Sequence, residues 1–139
     1  MRKVIIILLL FLSCNNKAED DFDNCLSIVK ELDAYADNKA WNGIWNDTML
    51  GQFHIAVHYL EHLTGIKGSY SIYEVIPSYE TRKKCLYDIK KWNNWYKANE
   101  KYIVKHVSDS IKLEAIEIQS WLDKETALKL VFNIDGISN

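Results

Sequence analysis

The chain has 139 residues, of which 48% are hydrophobic, 12% aromatic and 26% charged, with one proline. That composition belongs to a globular domain rather than a disordered one, and so little proline argues against a loop-built sandwich. Seventeen Lys and Arg against 19 Asp and Glu give a net charge of −2, which argues against nucleic acid as a partner.

Arg2 and Lys3 precede an uninterrupted apolar run, Val4 to Leu12, in the pattern of a secretory signal peptide. As a helix this run rises about 13 Å against a bilayer core of roughly 30 Å, so it is too short to span. It ends in Phe11-Leu12-Ser13-Cys14, which resembles the lipobox of bacterial lipoproteins, with Phe11 where that motif usually has leucine. The resemblance implies cleavage before Cys14, acylation of that residue with palmitate-type chains, and an outer-membrane lipoprotein of the cell envelope. Several acyl chains, at about 0.8 kcal/mol per buried methylene, hold a soluble domain at a membrane where one chain does not. The other reading is a cleaved signal peptide that leaves Cys14 as an ordinary residue. Asn15 to Asp21 form an acidic tether that looks like the export tags of surface-displayed lipoproteins in some Gram-negative bacteria. A bland linker on the periplasmic leaflet is the alternative.

Cleavage after residue 13 leaves a tether, 14–21, and one domain, 22–139, and takes the net charge from −2 to −4 as Arg2 and Lys3 leave. One core fits this length. With Cys14 acylated, Cys25 and Cys85 are the remaining thiols in an oxidising compartment, so a disulfide between them is expected. Closing that loop removes about 4 kcal/mol of unfolded-state freedom in the chain-entropy model. Two separately buried free thiols are the alternative.

Phe22, Cys25, Leu26, Val29, Leu32 and Tyr35 recur at helical spacing and predict a first helix over 22–37. A linker with Trp41 and Trp45 follows, and Asn46 or Asp47 caps a second helix over 48–64, whose stripe is Met49, Phe53, Ala56, Val57, Leu60 and Leu63. Gly65 falls where a left-handed residue ends a helix. Residues 69–76 are β-branched and aromatic and predict an extended segment or edge strand before Pro77, with "YIVKHV" at 102–107 as its partner. Between them 79–99 reads as a helix capped by Ser78, with Cys85, Ile89, Trp92 and Tyr96 on one stripe. Ile111, Ala115, Ile118 and Leu122 predict a fourth helix, although "IKLEAIEI" also reads as an alternating strand, and 123–132 a short fifth before a tail at Asp135-Gly136. The expected fold is therefore a small, mainly α domain of four to five helices with at most a short two-stranded β element.

Leu63-Thr64-Gly65, followed by Trp92, Trp95, Tyr96 and Asn99, resembles the closing helical unit of some bacterial HEAT-repeat-like proteins, where an L-T-G helix end precedes a W-x-x-W-[WY]-x-x-N helix. The connecting segment is longer here and no internal repeat is visible. What the resemblance implies is a helical packing module used for binding; it carries over no catalytic residue.

Three sets of side chains are candidates for function. His54, His58 and His62 lie opposite the second helix's apolar stripe, facing solvent or a partner. Histidines four apart chelate one ion, but all three cannot share it, because His54 and His62 stand about 12 Å apart along the axis. A metal site therefore needs a pair plus another ligand, with Glu61 and His106 as candidates; the alternatives are structural or solvated histidines and a pH-sensitive face. Residues 79–105 hold eight Lys or Arg against Glu80, Asp88 and Glu100, so a basic helix bearing Lys83, Lys84, Lys90 and Lys91 sits on an acidic body. Such a face is either simply solvated or docks an acidic protein or phosphate-bearing lipid. Trp95, Trp41 and Trp45 are candidate contacts for a ligand or partner, whereas Trp92 belongs to the core stripe.

The sequence contains no nucleophile elbow, phosphate-binding glycine loop, C-x-x-C pair, H-E-x-x-H helix or paired catalytic carboxylates, so neither catalysis nor a cofactor is expected. The leading expectation is a lipid-anchored envelope module that holds a protein or envelope ligand. The alternatives are an immunity lipoprotein that inhibits a secreted toxin and a metal-binding lipoprotein that uses the histidine helix.

Overall fold

A computed structural model describes residues 20–36, 45–70 and 79–133. Within them the chain is helical: α1 over 20–36, α2 Asp47–Thr64, α3 Arg82–Asn99, a 3-10 turn Glu100–Tyr102, α4 Lys105–Glu117 and α5 Lys124–Phe132. The fold is mainly α, with no strand among the described residues. The leader, Cys14, most of the tether, Trp41, the expected strand at 71–76, Ser78 and the tail at Asp135-Gly136 lie outside them. No described helix is long and apolar enough to cross a membrane.

α2 is the central helix, packed against α3, α4 and α5. Phe53, Ala56, Val57 and Leu60 of its expected stripe are buried and Met49 and Leu63 partly so, but Gly51, Ile55 and Tyr59 are buried too, because neighbours cover more of its circumference than one apolar face requires. Each large side chain removed from water there contributes about 1.5–3 kcal/mol. The ends follow local rules. Asn46 Oδ1 accepts the Met49 N–H at 2.9 Å, and Gly65, at φ 70°, donates its N–H to the Glu61 carbonyl.

The chain beyond Gly65 is pinned to α3 by polar contacts. The Trp92 indole N–H donates to the Ile66 carbonyl at 2.9 Å, and the Ser69 N–H donates to Asp88 Oδ2 at 2.5 Å. Asp88 is fully buried, and the Lys91 ammonium stands 3.0 Å from its second oxygen as counter-charge. α3 begins at Arg82, capped by Thr81, later than the expected 79, because Tyr79 is taken into the core.

α1 lies across α3 and α4. Phe22 stacks on Tyr96 at 4.1 Å between ring centroids, Arg82 pairs with Asp33 at 2.6 Å, and Lys112 of α4 pairs with Asp21, both nearly without exposure. α2 and α4 run antiparallel. The Tyr59 hydroxyl meets the Ser108 hydroxyl at 2.7 Å near one end, and Gly51 lies so close to Leu122 at the other that a Cβ there would sit 2.5 Å from Leu122 Cγ.

Two expectations are corrected. The segment 102–107 is not a strand: Tyr102 closes the 3-10 turn and α4 begins at Lys105, leaving only Ile103 and Val104 extended. Its β-branched residues are overridden by tertiary packing that turns Ser108 toward Tyr59. Cys25 and Cys85 are both buried, as expected, but they are free thiols and not a disulfide. Their surroundings differ: Cys25 neighbours Asp21 and Lys112, whereas Cys85 neighbours Asp33 and Arg82. Asp33 lies eight residues past Cys25, about 12 Å along α1, so shared burial is not shared position.

Candidate functional site

The histidines of α2 separate into two groups. His54 stacks on Trp121, ring centroids 4.5 Å apart, and its partial burial lowers its pKa from the ordinary 6.5. His58 and His62, one turn apart, stack on each other at 3.8 Å and 18°. His62 is exposed and His58 is largely covered, so the expectation that all three face outward holds only for His62.

Glu114 of α4 completes this cluster, with Oε1 3.5 Å from His58 Nε2. Burial, and then the neighbouring His62, lower the His58 pKa, while Glu114 works in the opposite direction. Ring nitrogens of His58 and His62 and a carboxylate oxygen of Glu114 lie within 4.8 Å of one another. Neither Glu61 nor His106, the acceptors expected from sequence, belongs to the set. Glu61 Oε1 accepts the Gly68 N–H at 2.7 Å, and His106 is exposed at the start of α4. Sequence reasoning missed Glu114 because nothing in the chain spacing relates it to α2; the antiparallel register of α2 on α4 does.

The basic face of α3 is sorted in the same way. Lys84 is paired with Glu80, and Lys91 with Asp88, where it also lies 5.1 Å over the Tyr87 ring. Lys83 and Lys90 are exposed and have no ion pair among the described residues, and the same is true of Lys97. These three sit seven residues apart, which keeps them within about 40° on one side of the helix. Tyr87 lies on that side and is 62% exposed.

Of the tryptophans, Trp45 is buried, edge-on to Phe53 at 5.3 Å, so it is a core residue and not the surface ring expected of a loop. Trp95 is half-buried and lines a groove of about 230 Å³ with Leu63, Tyr102, Ile103, Val104 and Val107 where α3 gives way to α4. Tyr102 there is 75% exposed, and neither it nor Val104 was singled out from sequence, because both were read as strand. Trp92 meets the segment after Leu63-Thr64-Gly65 through its bond to Ile66.

Comparison with protein-family models, with curated proteins and with solved structures gives no match to this chain.

Proposed function

We propose that this chain is a lipid-anchored, non-catalytic binding module of the cell envelope, and that it docks an acidic protein partner through the outer side of α3. The anchoring rests on the leader and on Phe11-Leu12-Ser13-Cys14. The docking rests on one observation above the others: Lys83, Lys90 and Lys97 form an exposed row with no ion pair among the described residues, with Tyr87 open beside them. Lysines that serve solubility alone are commonly interleaved with acids, as Lys84 and Lys105 are with Glu80 and Asp109. An unneutralised row beside an exposed aromatic ring suits a partner whose surface is acidic with an apolar centre.

The proposal is tested by placing a photo-crosslinking amino acid at position 87 and, as control, at Leu130 of α5, which is also exposed. Docking through α3 gives a defined adduct with an acidic envelope protein from position 87 and none from position 130. Equal labelling from both positions, or none from 87, contradicts it.

A further inference from the structure

We propose that His58, His62 and Glu114 form a site for a divalent transition-metal ion of the zinc class, on a surface distinct from the row of lysines on α3. The geometry carries this in three ways. Donor atoms from two helices converge within 4.8 Å. A tetrahedral zinc ion with ligands at about 2.0–2.1 Å needs donors about 3.3 Å apart. The remaining contraction is of the size that rotation of His62 and Glu114, both exposed, supplies without moving the backbone.

The second observation is a vacancy in bonding. His58 Nε2 is shut off from solvent and has no hydrogen-bond partner at ordinary distance among the described residues, where Glu114 Oε1 stands at 3.5 Å. A cation between the imidazole lone pair and the carboxylate satisfies both groups at once.

The third is rigidity of the frame. His58 lies between the buried Val57 and Tyr59, and Tyr59 is bonded to Ser108 of α4, so the two helices that carry the donors are tied together next to His58 on α2 and less than two turns before Glu114 on α4. The spacing of four residues places His62 one turn above His58 on the same side of α2.

Two imidazoles with one carboxylate select zinc and its neighbours cobalt, nickel and copper over calcium and magnesium, which prefer oxygen-only shells. Three protein donors leave the fourth tetrahedral position to water, and the exposure of His62 and Glu114 lets solvent reach it.

The test uses the full chain and Zn²⁺ alone, with affinity measured by competition against a chromophoric chelator and with Co²⁺ as a spectroscopic probe. The expected result is one Zn²⁺ per chain, a Co²⁺ visible band of tetrahedral type, and no displacement by millimolar Ca²⁺ or Mg²⁺. Removing an outer-shell partner already costs metal sites about 10–100-fold, so His62→Ala and Glu114→Gln should each weaken binding by at least about 100-fold. Both residues are exposed, so melting without metal should not change, and His106→Ala should leave the affinity intact. Unchanged affinity in either ligand variant, or no Zn²⁺ retained at micromolar concentration, overturns the assignment. Because docking by α3 is measured through an adduct at position 87, the two proposals fail independently.

Discussion

Trp92 donates its indole N–H to the carbonyl of Ile66, the first residue past the glycine that ends α2, and so locks the α2 exit onto the middle of α3. The ring is fully buried. Trp92→Phe leaves that carbonyl without its partner and removes ring volume, so it should lower stability by about 2–4 kcal/mol. Urea unfolding followed by circular dichroism measures it, and a change below about 0.5 kcal/mol would show that the contact is dispensable.

The buried pair of Asp21 and Lys112 joins α1 to α4, with the Lys112 ammonium also 5.0 Å over the Phe132 ring. Asp21→Ala removes the buried carboxylate and leaves the Lys112 ammonium the longer, 3.6 Å contact to the half-exposed Asp109, so it should cost up to about 3–5 kcal/mol. Replacing both residues, Asp21→Leu with Lys112→Met, should cost clearly less than Asp21→Ala alone. Denaturation of the three proteins under one condition checks the order.

Several of these features were legible in the sequence, and the others were not for identifiable reasons. The helices, the Asn46 cap, the Gly65 stop and the stripe of Cys85, Trp92 and Tyr96 follow from local periodicity and end chemistry, which a single chain displays directly. The fourth helix was read around Ile111, Ala115 and Ile118, yet Ile118 is 57% exposed and Lys112 is buried. No local rule anticipates that inversion, because the buried partner of Lys112, Asp21, lies on another helix, and the Phe132 ring beneath its ammonium on a third. The same applies to the site: His58 and His62 were visible as a chelating pair, whereas Glu114 joins them only through the register of α2 on α4. Trp45 reads as a loop residue from the polar linker around Gly43, yet it is buried and packs edge-on to Phe53.

Acid should weaken the fold through the histidines. Burial holds the His54 pKa below its ordinary 6.5, so the unfolded chain binds a proton more readily than the folded one. By linkage, stability is full above about pH 6.5 and declines as the pH falls toward the lower folded-state value. Thermal melts between pH 7.5 and 5 should show this decline, and His54→Gln should make it shallower. An unaltered pH profile in that variant would assign the decline to other groups.

Free, buried Cys25 and Cys85 predict insensitivity to reductant. Burial, reinforced by Asp21 for Cys25 and by Asp33 for Cys85, pushes both thiols up from their ordinary range, so little thiolate is available to react. Melting temperature should be the same with and without dithiothreitol, and an alkylating reagent should modify the pair only after unfolding. A fall in melting temperature on reduction would instead restore the disulfide.

Anchoring is checked by cell fractionation and fatty-acid labelling. Wild type should incorporate labelled acyl chains and sediment with membranes, and Cys14→Ala should do neither. Release of an unlabelled wild type into the soluble fraction would remove the anchor from this account.

The central claim is that the outer side of α3 docks an acidic partner, and the most direct measurement is binding by the charge-reversed domain. Lys83→Glu combined with Lys90→Glu changes two exposed residues that form no ion pair among the described residues, so its melting temperature should match wild type. Affinity for the acidic protein captured at position 87 is then measured for both forms at low and at moderate salt. The account predicts at least a tenfold loss in the variant, and wild-type affinity that falls as salt rises. Equal affinity of the two proteins, independent of salt, would contradict it.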